Sequence, residues 1–229
     1  MGLWGAICSI GASIAGAVMG SPIVQAAMSF GTSIAASVAT MSIPQVLLAV
    51  YTCILIAKEL GILQPEQNEK DVEELGNKVI QADEKGIRPD KYKTYDEYMK
   101  EIENFKVDPV KTANIDQKDK LSKGLGLLST LVTMVKPDYK SILEMSVNGL
   151  LPSMKAVADK TGVSDKMKTD VMSVASNYMG ALKNSGVGFK ELADFLTGKN
   201  ENREIFNAKM KADKEFIDSV HKINDNEKK

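Results

Sequence analysis

The sequence predicts an all-α protein in which a hydrophobic, Gly/Ala-rich N-terminal helical hairpin of two to three helices is followed by a soluble multi-helix bundle. Residues 1–57 contain no Asp, Glu, Lys, Arg or His, and the first charged side chain is Lys58. No later stretch sustains the apolar/polar alternation of period two that a half-buried strand requires. Apolar residues instead recur every three or four positions, which is the spacing of one face of an α-helix.

Composition divides the chain into three predicted regions. Residues 1–61 form a membrane-inserting or apolar-packing helical region, residues 62–110 a charged helical linker region, and residues 111–229 a C-terminal helical bundle. The net charge of -1 conceals this division, because every charged side chain lies after residue 57. The chain therefore joins two materials of very different polarity.

Glycine and proline residues at helix boundaries predict three helices in the uncharged region, at about residues 3–19, 22–41 and 44–60. Ser21 and Ser42 supply N-cap hydroxyls, and the prolines that follow them suit the first helical turn. These helices are at the short end of spanning length, since about 20 predominantly apolar residues cross a bilayer.

Small side chains recur at every fourth position of the first two predicted helices. They are Cys8, Ala12, Gly16 and Gly20 on the first helix, and Ala27, Gly31, Ala35 and Ala39 on the second. Residues four apart share one helix face, and small residues there let two backbones approach closely in lipid. The pattern predicts a glycine-zipper seam between the two helices of the hairpin.

The third predicted helix carries the large apolar side chains of this region. They include Leu47, Leu48, Ile54, Leu55 and Ile56. We expect this helix to drive insertion and the two weakly hydrophobic helices before it to follow. Trp4 and Tyr51 are candidate aromatics for a membrane interface, although Tyr51 falls near the middle of its helix instead of at an end.

Ala-rich helices also form the buried centre of soluble bundles, so a second interpretation has the charged remainder enclosing the N-terminal region. The length of the uncharged run favours a membrane or an apolar partner over this alternative. A surface helix of a soluble protein shows a polar stripe at each turn, and 57 consecutive uncharged residues exceed what such a helix needs.

Helices are predicted to continue through the charged remainder. One covers residues 69–84 and stops at Gly86, and a short one is capped by Thr94 and ended by Asp108 and Pro109. A longer helix before Pro137 carries an apolar stripe at Leu121, Leu125, Leu128, Val132 and Val135. Further stripes between residues 142 and 223 complete the predicted bundle.

Residues that carry catalysis are not grouped in this sequence. His221 is the only histidine, and neither an HExxH nor a CxxC metal spacing is present. Carboxylate pairs such as Glu73 and Glu74 have polar neighbours, whereas a general acid needs burial. Gly124 and Gly126 lack the pattern of a nucleotide site, and helix packing or termination explains them. We therefore expect no enzymatic activity, no cofactor, no metal and no small-molecule substrate.

Charge and the N-terminus narrow the expected partners and location. Lysines and carboxylates are interspersed, whereas a nucleic-acid interface requires a basic patch. The N-terminus has no positively charged region of the kind that begins a secretory signal peptide. We expect the protein to be cytoplasmic or carrier-bound before export and membrane-associated after delivery.

The layout is similar in broad design to translocators, virion-ejection proteins and pore-formers that hide an apolar hairpin until delivery. We expect a non-enzymatic membrane-active protein, an effector, translocator or pore-former, whose N-terminal helices enter a bilayer. Membrane lipid, a carrier or chaperone and further copies of the chain are the expected partners. The alternative is a structural or cargo component of an injection machine or virion, whose N-terminal helices pack against other subunits. A resident membrane protein with a cytoplasmic helical domain is a third, weaker hypothesis.

Overall fold

The computed structural model describes residues 16–41, 43–59 and 63–144, together with Val147 and six single residues between positions 203 and 214. These residues are mostly helical and include no β-strand, so the predicted all-α class is confirmed. Predictions for the rest of the chain, including those for Trp4, Cys8 and Ala12, lie outside the described residues.

The described helices follow one another closely along the chain. They are α1 (Pro22–Ala39), α2 (Ile43–Glu59), α3 (Glu69–Glu84), α4 (Tyr95–Asn104), α5 (Pro109–Asn114), α6 (Gln117–Val135) and α7 (Lys140–Glu144). Short 3₁₀ turns occupy Pro89–Lys91 and Pro137–Tyr139. The bounds of α1, α2 and α3 agree with the predicted helices to within two residues, which is the usual uncertainty of helix ends, and α6 ends before Pro137 as predicted.

Capping side chains fix two of the predicted helix starts. Ser21 Oγ accepts a hydrogen bond from Val24 N at 3.4 Å, and Pro22 occupies the first turn of α1. Thr94 and Glu97 form a capping box at the start of α4, in which Glu97 N donates to Thr94 Oγ1 and Thr94 N donates to Glu97 Oε2, both at 3.3 Å. Both starts are therefore confirmed together with their chemistry.

Helix α3 begins and ends at signals within its own sequence. Asn68 and Asp71 form the capping box at its start. At its end Gly86 adopts a φ of 80°, a left-handed conformation that glycine adopts without steric cost, and its N–H donates to Asp83 O at 2.9 Å. The predicted stop at Gly86 is confirmed.

The end of the first predicted helix differs from the expectation. Residues 16–20 form a turn and a single bridge, so a helix that continues to Met19 is wrong for this part of the chain. Gly16 has a φ of 85°, which no α-helix contains, and Gly20 lies in the turn before α1. Gly16 and Gly20 therefore do not continue the small-residue face of a helix.

A second difference concerns the turn at Asp108 and Pro109, which the sequence predicts only as the end of a helix. These residues also begin the short helix α5, because Asp108 Oδ1 accepts from Val110 N at 2.8 Å and from Lys111 N at 3.3 Å. Proline after a capping aspartate is a start signal as much as a stop signal.

The chain divides into two compact units, one of Met1–Val46 with Cys53–Lys140 and the other of Leu47–Thr52 with Ser141–Lys229. In the first unit α6 lies between α1 and α3 and contacts both of them extensively. Apart from Lys123, residues 121–134 of α6 are all buried, as expected for a helix with neighbours on both sides. In the second unit the described core residues are Ala49, Val50, Leu143 and Val147.

Candidate functional site: the uncharged helix α1 and its contacts

Helix α1 packs on α6 through the small residues of its predicted stripe. A Cβ atom added to Gly31 would overlap Thr130 Oγ1 and the carbonyl oxygen of Gly126. One added to Gly126 would lie only 2.8 Å from Ala35 Cβ and 2.8 Å from Gly31 O. The two backbones are thus in direct contact at a place where only glycine fits. We call Gly31, Ala35, Gly126 and Thr130 the α1 seam.

The remaining stripe residues of α1 follow the same face. Ala27 is buried and Ala39 is half-buried. Larger apolar residues on either side of the stripe complete the buried face: Val24, Phe30, Ile34 and Val38. The ammonium group of Lys140 lies 5.2 Å from the centroid of the Phe30 ring, a cation–π contact at the edge of this face.

The opposite face of α1 is exposed and carries no charge. Its exposed residues are Pro22, Ile23, Gln25, Ala26, Ser29, Thr32, Ser33 and Ala36. Ile23 alone is 64% exposed. The hydroxyls of Thr32 and Ser37 donate to carbonyl oxygens one turn earlier, each at 2.9 Å, so part of the polarity of this region is satisfied within the helix. We call the eight exposed residues the outward face of α1.

Among the described helices α1 alone has the length and apolar character to cross a membrane. It has 18 residues with a mean hydropathy of 1.2, and one third of them are buried within the protein. Because both faces are free of charge, transfer of α1 to an apolar environment would not bury an ionised side chain. A buried core helix of a soluble protein has the same length and hydropathy, so these values alone do not decide between the two environments.

Helix α1 is also joined to the charged part of the chain at its start. Residues 16–21, which we call the strap, run antiparallel to residues 93–95 at a single bridge between Val18 and Thr94. Met19 N donates to Lys93 O and Tyr95 N donates to Ala17 O, both at 3.0 Å. No pattern in the sequence indicates this pairing.

The second uncharged helix, α2, has a buried face of its own. Ile54, Cys53 and Ala57 are fully buried, whereas Leu47 and Tyr51 are half-buried. The side chains of three predicted membrane-inserting residues lie outside the described part of the structure: Leu48, Leu55 and Ile56. At its C-terminal end the first charged side chain of the protein, Lys58, donates to Pro65 O at 2.7 Å.

Helix α3 packs on the other side of α6 through a second pair of glycines. A Cβ atom on Gly76 would overlap Lys120 O and would lie 2.7 Å from Gly124 N, and one on Gly124 would overlap Val72 O. We call Val72, Gly76, Lys120 and Gly124 the α3 seam. Positions 124 and 126 differ by about 200° around a helix, so one glycine faces α3 and the other faces α1. Helix packing, one of the two explanations offered for Gly124 and Gly126, is therefore confirmed.

Buried polar groups near α3 bond to one another and leave no reactive pair. Gln81 Nε2 donates to Asn77 Oδ1 and to Thr112 Oγ1, both at 3.0 Å, and Gln81 Oε1 accepts from Asp108 N at 2.8 Å. This network of amides and hydroxyls joins α3 to α5. It contains no nucleophile beside a base, so its chemistry is that of structural hydrogen bonding.

Two tyrosines of α4 are buried beside the strap. The Tyr95 and Tyr98 rings meet edge to face with centroids 5.8 Å apart. Burial raises the pKa of both phenols far above its usual value near 10, and the neighbouring Tyr98 adds to the effect at Tyr95. Among the described residues no hydrogen bond joins either phenol to a basic side chain, and the Asp83 carboxylate adds to the rise in the pKa of Tyr98. In the part of the chain that the structure describes, no group of three or more His, Cys, Asp or Glu side chains is placed to hold a metal ion.

Comparison with known proteins identifies no relative of this chain. No family model matches the chain, and neither the curated proteins nor the solved structures contain a significant match.

Proposed function

We propose that the protein is a non-enzymatic membrane-active protein, an effector, translocator or pore-former, that stores its uncharged N-terminal region against its own helices and inserts it into a bilayer. Membrane lipid is the partner of the inserted form, with a carrier protein or further copies of the chain as additional partners. Before delivery the protein is cytoplasmic or carrier-bound. In the inserted form, Cys8 and Ala12 continue the stripe of small residues that associates the N-terminal helices.

One observation carries this proposal: α1 exposes a whole face to solvent and yet has no charged residue on any face. An exposed helix of a soluble protein ordinarily carries a charged outer stripe, as α3 does in the same molecule. The absence of charge does not improve contact with water. It removes the largest free-energy cost of moving α1 into lipid.

The contact with α6 is compatible with later release. Small-residue packing brings two backbones together without an ion pair, and the same kind of face associates helices within a bilayer. Gly31 and Ala35 can therefore exchange α6 for another helix once α1 has left its storage site.

The alternative, a structural component whose N-terminal helices pack on other subunits, is favoured by one specific feature. The outward face includes Ala26, Ser29, Ser33 and Ala36, which are small and spaced three or four residues apart. A second helix fits closely against such a face in water as well as in lipid. The two functions differ in whether lipid alone is sufficient for binding.

Vesicle flotation of the full-length chain separates them. We expect the wild-type protein to float with phosphatidylcholine vesicles that contain phosphatidylglycerol. Lysine at the centre of a spanning helix costs about 2.5–3.5 kcal/mol, so Ser29→Lys is expected to lower the partition coefficient at least about tenfold. Ser29 is exposed, and the variant should retain the wild-type circular dichroism and thermal unfolding.

Val110→Lys is the matched control, because it adds the same charge at a position that is 71% exposed in the charged part of the chain. It should float like the wild type. Dye release by the full-length protein would identify a pore-former, and flotation without release would favour a resident membrane protein. A defined oligomer that ignores vesicles would favour the structural component, and wild-type flotation of folded Ser29→Lys would reject insertion through α1.

A further inference from the structure

We propose that the strap, residues 16–21, is a latch that holds α1 on α6, and that α1 leaves its storage site only after the strap separates from residues 93–95. This inference concerns regulation of the membrane-inserting region and rests on the proposed function. It is carried by the hydrogen bonds of the strap and by the packing of α1, which among the described helices is extensive only on α6.

The strap is attached to the charged part of the chain by main-chain hydrogen bonds. Two bonds of 3.0 Å flank the pair Val18 and Thr94, and the pairing is a single bridge that is not extended into a sheet among the described residues. Residue 95 begins α4, whose own helical hydrogen bonds do not depend on the strap. The bridge can therefore open while α4 stays folded, which is the behaviour of a local opening unit.

The other end of the strap is coupled tightly to α1. Ser21 N donates to Val18 O at 2.9 Å and closes a turn, and Gln25 Nε2 in the first turn of α1 donates to Met19 O at 2.8 Å. The Met19 side chain is buried at 7% exposure. Because the strap and the first turn of α1 share these bonds, displacement of the strap displaces the start of the helix.

Within the described part of the chain, the other attachments of α1 are apolar packing and the contact of Lys140 with Phe30. Among the described helices it packs extensively only on α6, and the α1 seam consists of uncharged residues. The strap is the place where main-chain hydrogen bonds join the start of α1 to residues 93–95. Its exposed Val18 side chain, at 57% exposure, leaves the bridge open to solvent and accessible to a competing surface.

A disulfide across the bridge tests the latch. The hydrogen bonds join the residues on either side of Val18 and Thr94, which makes these two a non-hydrogen-bonded pair with Cα atoms about 4.5 Å apart, within the range for a disulfide. The variant is the full-length Val18→Cys/Thr94→Cys chain with Cys8→Ser and Cys53→Ala. The same protein is compared oxidised and after dithiothreitol, and the single variant Val18→Cys in the same background receives the same treatment.

Hydrogen exchange of α1 and vesicle flotation are the two readouts. The latch predicts that oxidation slows exchange of the α1 amides at least about tenfold while α3 is unchanged, that the oxidised protein stays off vesicles, and that reduction restores flotation. The single-cysteine control should not respond in either assay. General stabilisation by the cross-link would instead slow exchange in α3 as well and would overturn the latch.

The remaining outcomes separate the latch from the proposed function. If the α1 amides exchange equally fast in the two redox states, the strap does not control α1 and the latch is wrong. If the oxidised protein has slow α1 exchange but floats as well as the reduced protein, the strap does not gate insertion and the latch is wrong. If α1 exchange responds to oxidation but neither redox state nor the wild type floats, the latch stands and the membrane function fails.

Discussion

The two seams on α6 are both close contacts between glycines, but they differ in whether charged side chains lie beside them. At the α1 seam Gly31 meets Gly126, and at the α3 seam Gly76 meets Gly124, with backbone against backbone in both. The α3 seam is edged by charge, because Lys120 Nζ lies 3.0 Å from Glu73 Oε1. The α1 seam involves no charged group. The same glycine packing therefore gives a permanent contact on one side and, on our proposal, a transferable one on the other.

The difference has a physical consequence for where each helix can go. Removal of α3 from α6 would separate Lys120 from Glu73, and no apolar environment would satisfy those two charges. Removal of α1 breaks apolar contacts, the cation–π contact of Lys140 with Phe30 and the short strap. A membrane can replace the apolar contacts, so α1 is the helix of the pair that is suited to leave.

The largest expected effect tests whether the two seams are equally tight. Gly31→Ala and Gly76→Ala should each lower the free energy of unfolding by about 2–3 kcal/mol, because the added methyl group overlaps backbone atoms and overpacking outweighs the helix propensity of alanine. Gly20→Ala is the control, since a Cβ atom there meets nothing within 4 Å. It should leave stability unchanged or raise it by up to about 1 kcal/mol. Urea unfolding followed by circular dichroism measures all three, and a harmless Gly31→Ala would show that the α1 seam is loose.

The glycines also show how much of the helix packing can be predicted from the sequence. Spacing of four puts Gly31 and Ala35 on one helix face, because the period of a helix is a local property, and in the structure both residues lie against α6. It did not identify α6 as a partner, since packing between segments far apart in the chain leaves no periodic signal in either one. A local signal for α6 did exist: two glycines two positions apart inside a helix cost stability and face opposite sides, which indicates two close neighbours.

The strap illustrates a different limit. Gly20, Ser21 and Pro22 correctly predicted the start of α1, because a cap and a proline act within one turn. The sequence predicts a helix for the residues just before them, because a composition of Ala, Gly and Val does not exclude one. Their extended pairing depends on residues 93–95, and a single bridge has no sequence period of its own. Tertiary contact therefore overrode a weak local preference.

An intermediate effect concerns the dependence of stability on alkaline pH. No residue of α1 is ionisable, whereas Tyr95 and Tyr98 have pKa values raised by burial. Below pH 10 each phenol is protonated in both the folded and the unfolded chain. Above pH 10 the unfolded chain releases these protons and the folded chain keeps them, so stability falls by about 1.4 kcal/mol per pH unit for each tyrosine.

Between pH 10 and 11, Tyr95→Phe should reduce the loss of stability by about 1 kcal/mol, because the phenol of the unfolded chain is only partly ionised over this interval. Denaturant unfolding at several pH values measures it, and phenolate absorbance of the folded wild type should show at least two tyrosines that do not ionise near pH 10. Tyr139→Phe is a control for a half-buried ring. An unchanged slope in Tyr95→Phe would mean that Tyr95 is solvated in the folded state and that the region beside the strap is open.

The smallest effect tests the charged edge of the α3 seam. Glu73 bonds to Lys120 at 3.0 Å and accepts from Gln117 Nε2 at 3.0 Å, with the Lys120 side chain only 12% exposed. Glu73→Gln keeps the shape of the side chain and removes the charge, so we expect a loss of about 0.5–1 kcal/mol that shrinks in 1 M salt. Glu84→Gln is the control and should lose less, because Glu84 and its partner Lys111 are both about half exposed.

The effect of salt on the two helices tests whether the charged edge holds α3 and not α1. If the charged edge fastens α3, salt should weaken α3 and leave α1 unaffected, and hydrogen exchange of the two helices in low and high salt reports each separately. Equal acceleration of α1 and α3 exchange by salt would show that the two seams open together. In that case α1 would be part of a single cooperative core, and its freedom from charge would reflect burial in that core instead of a capacity to leave it.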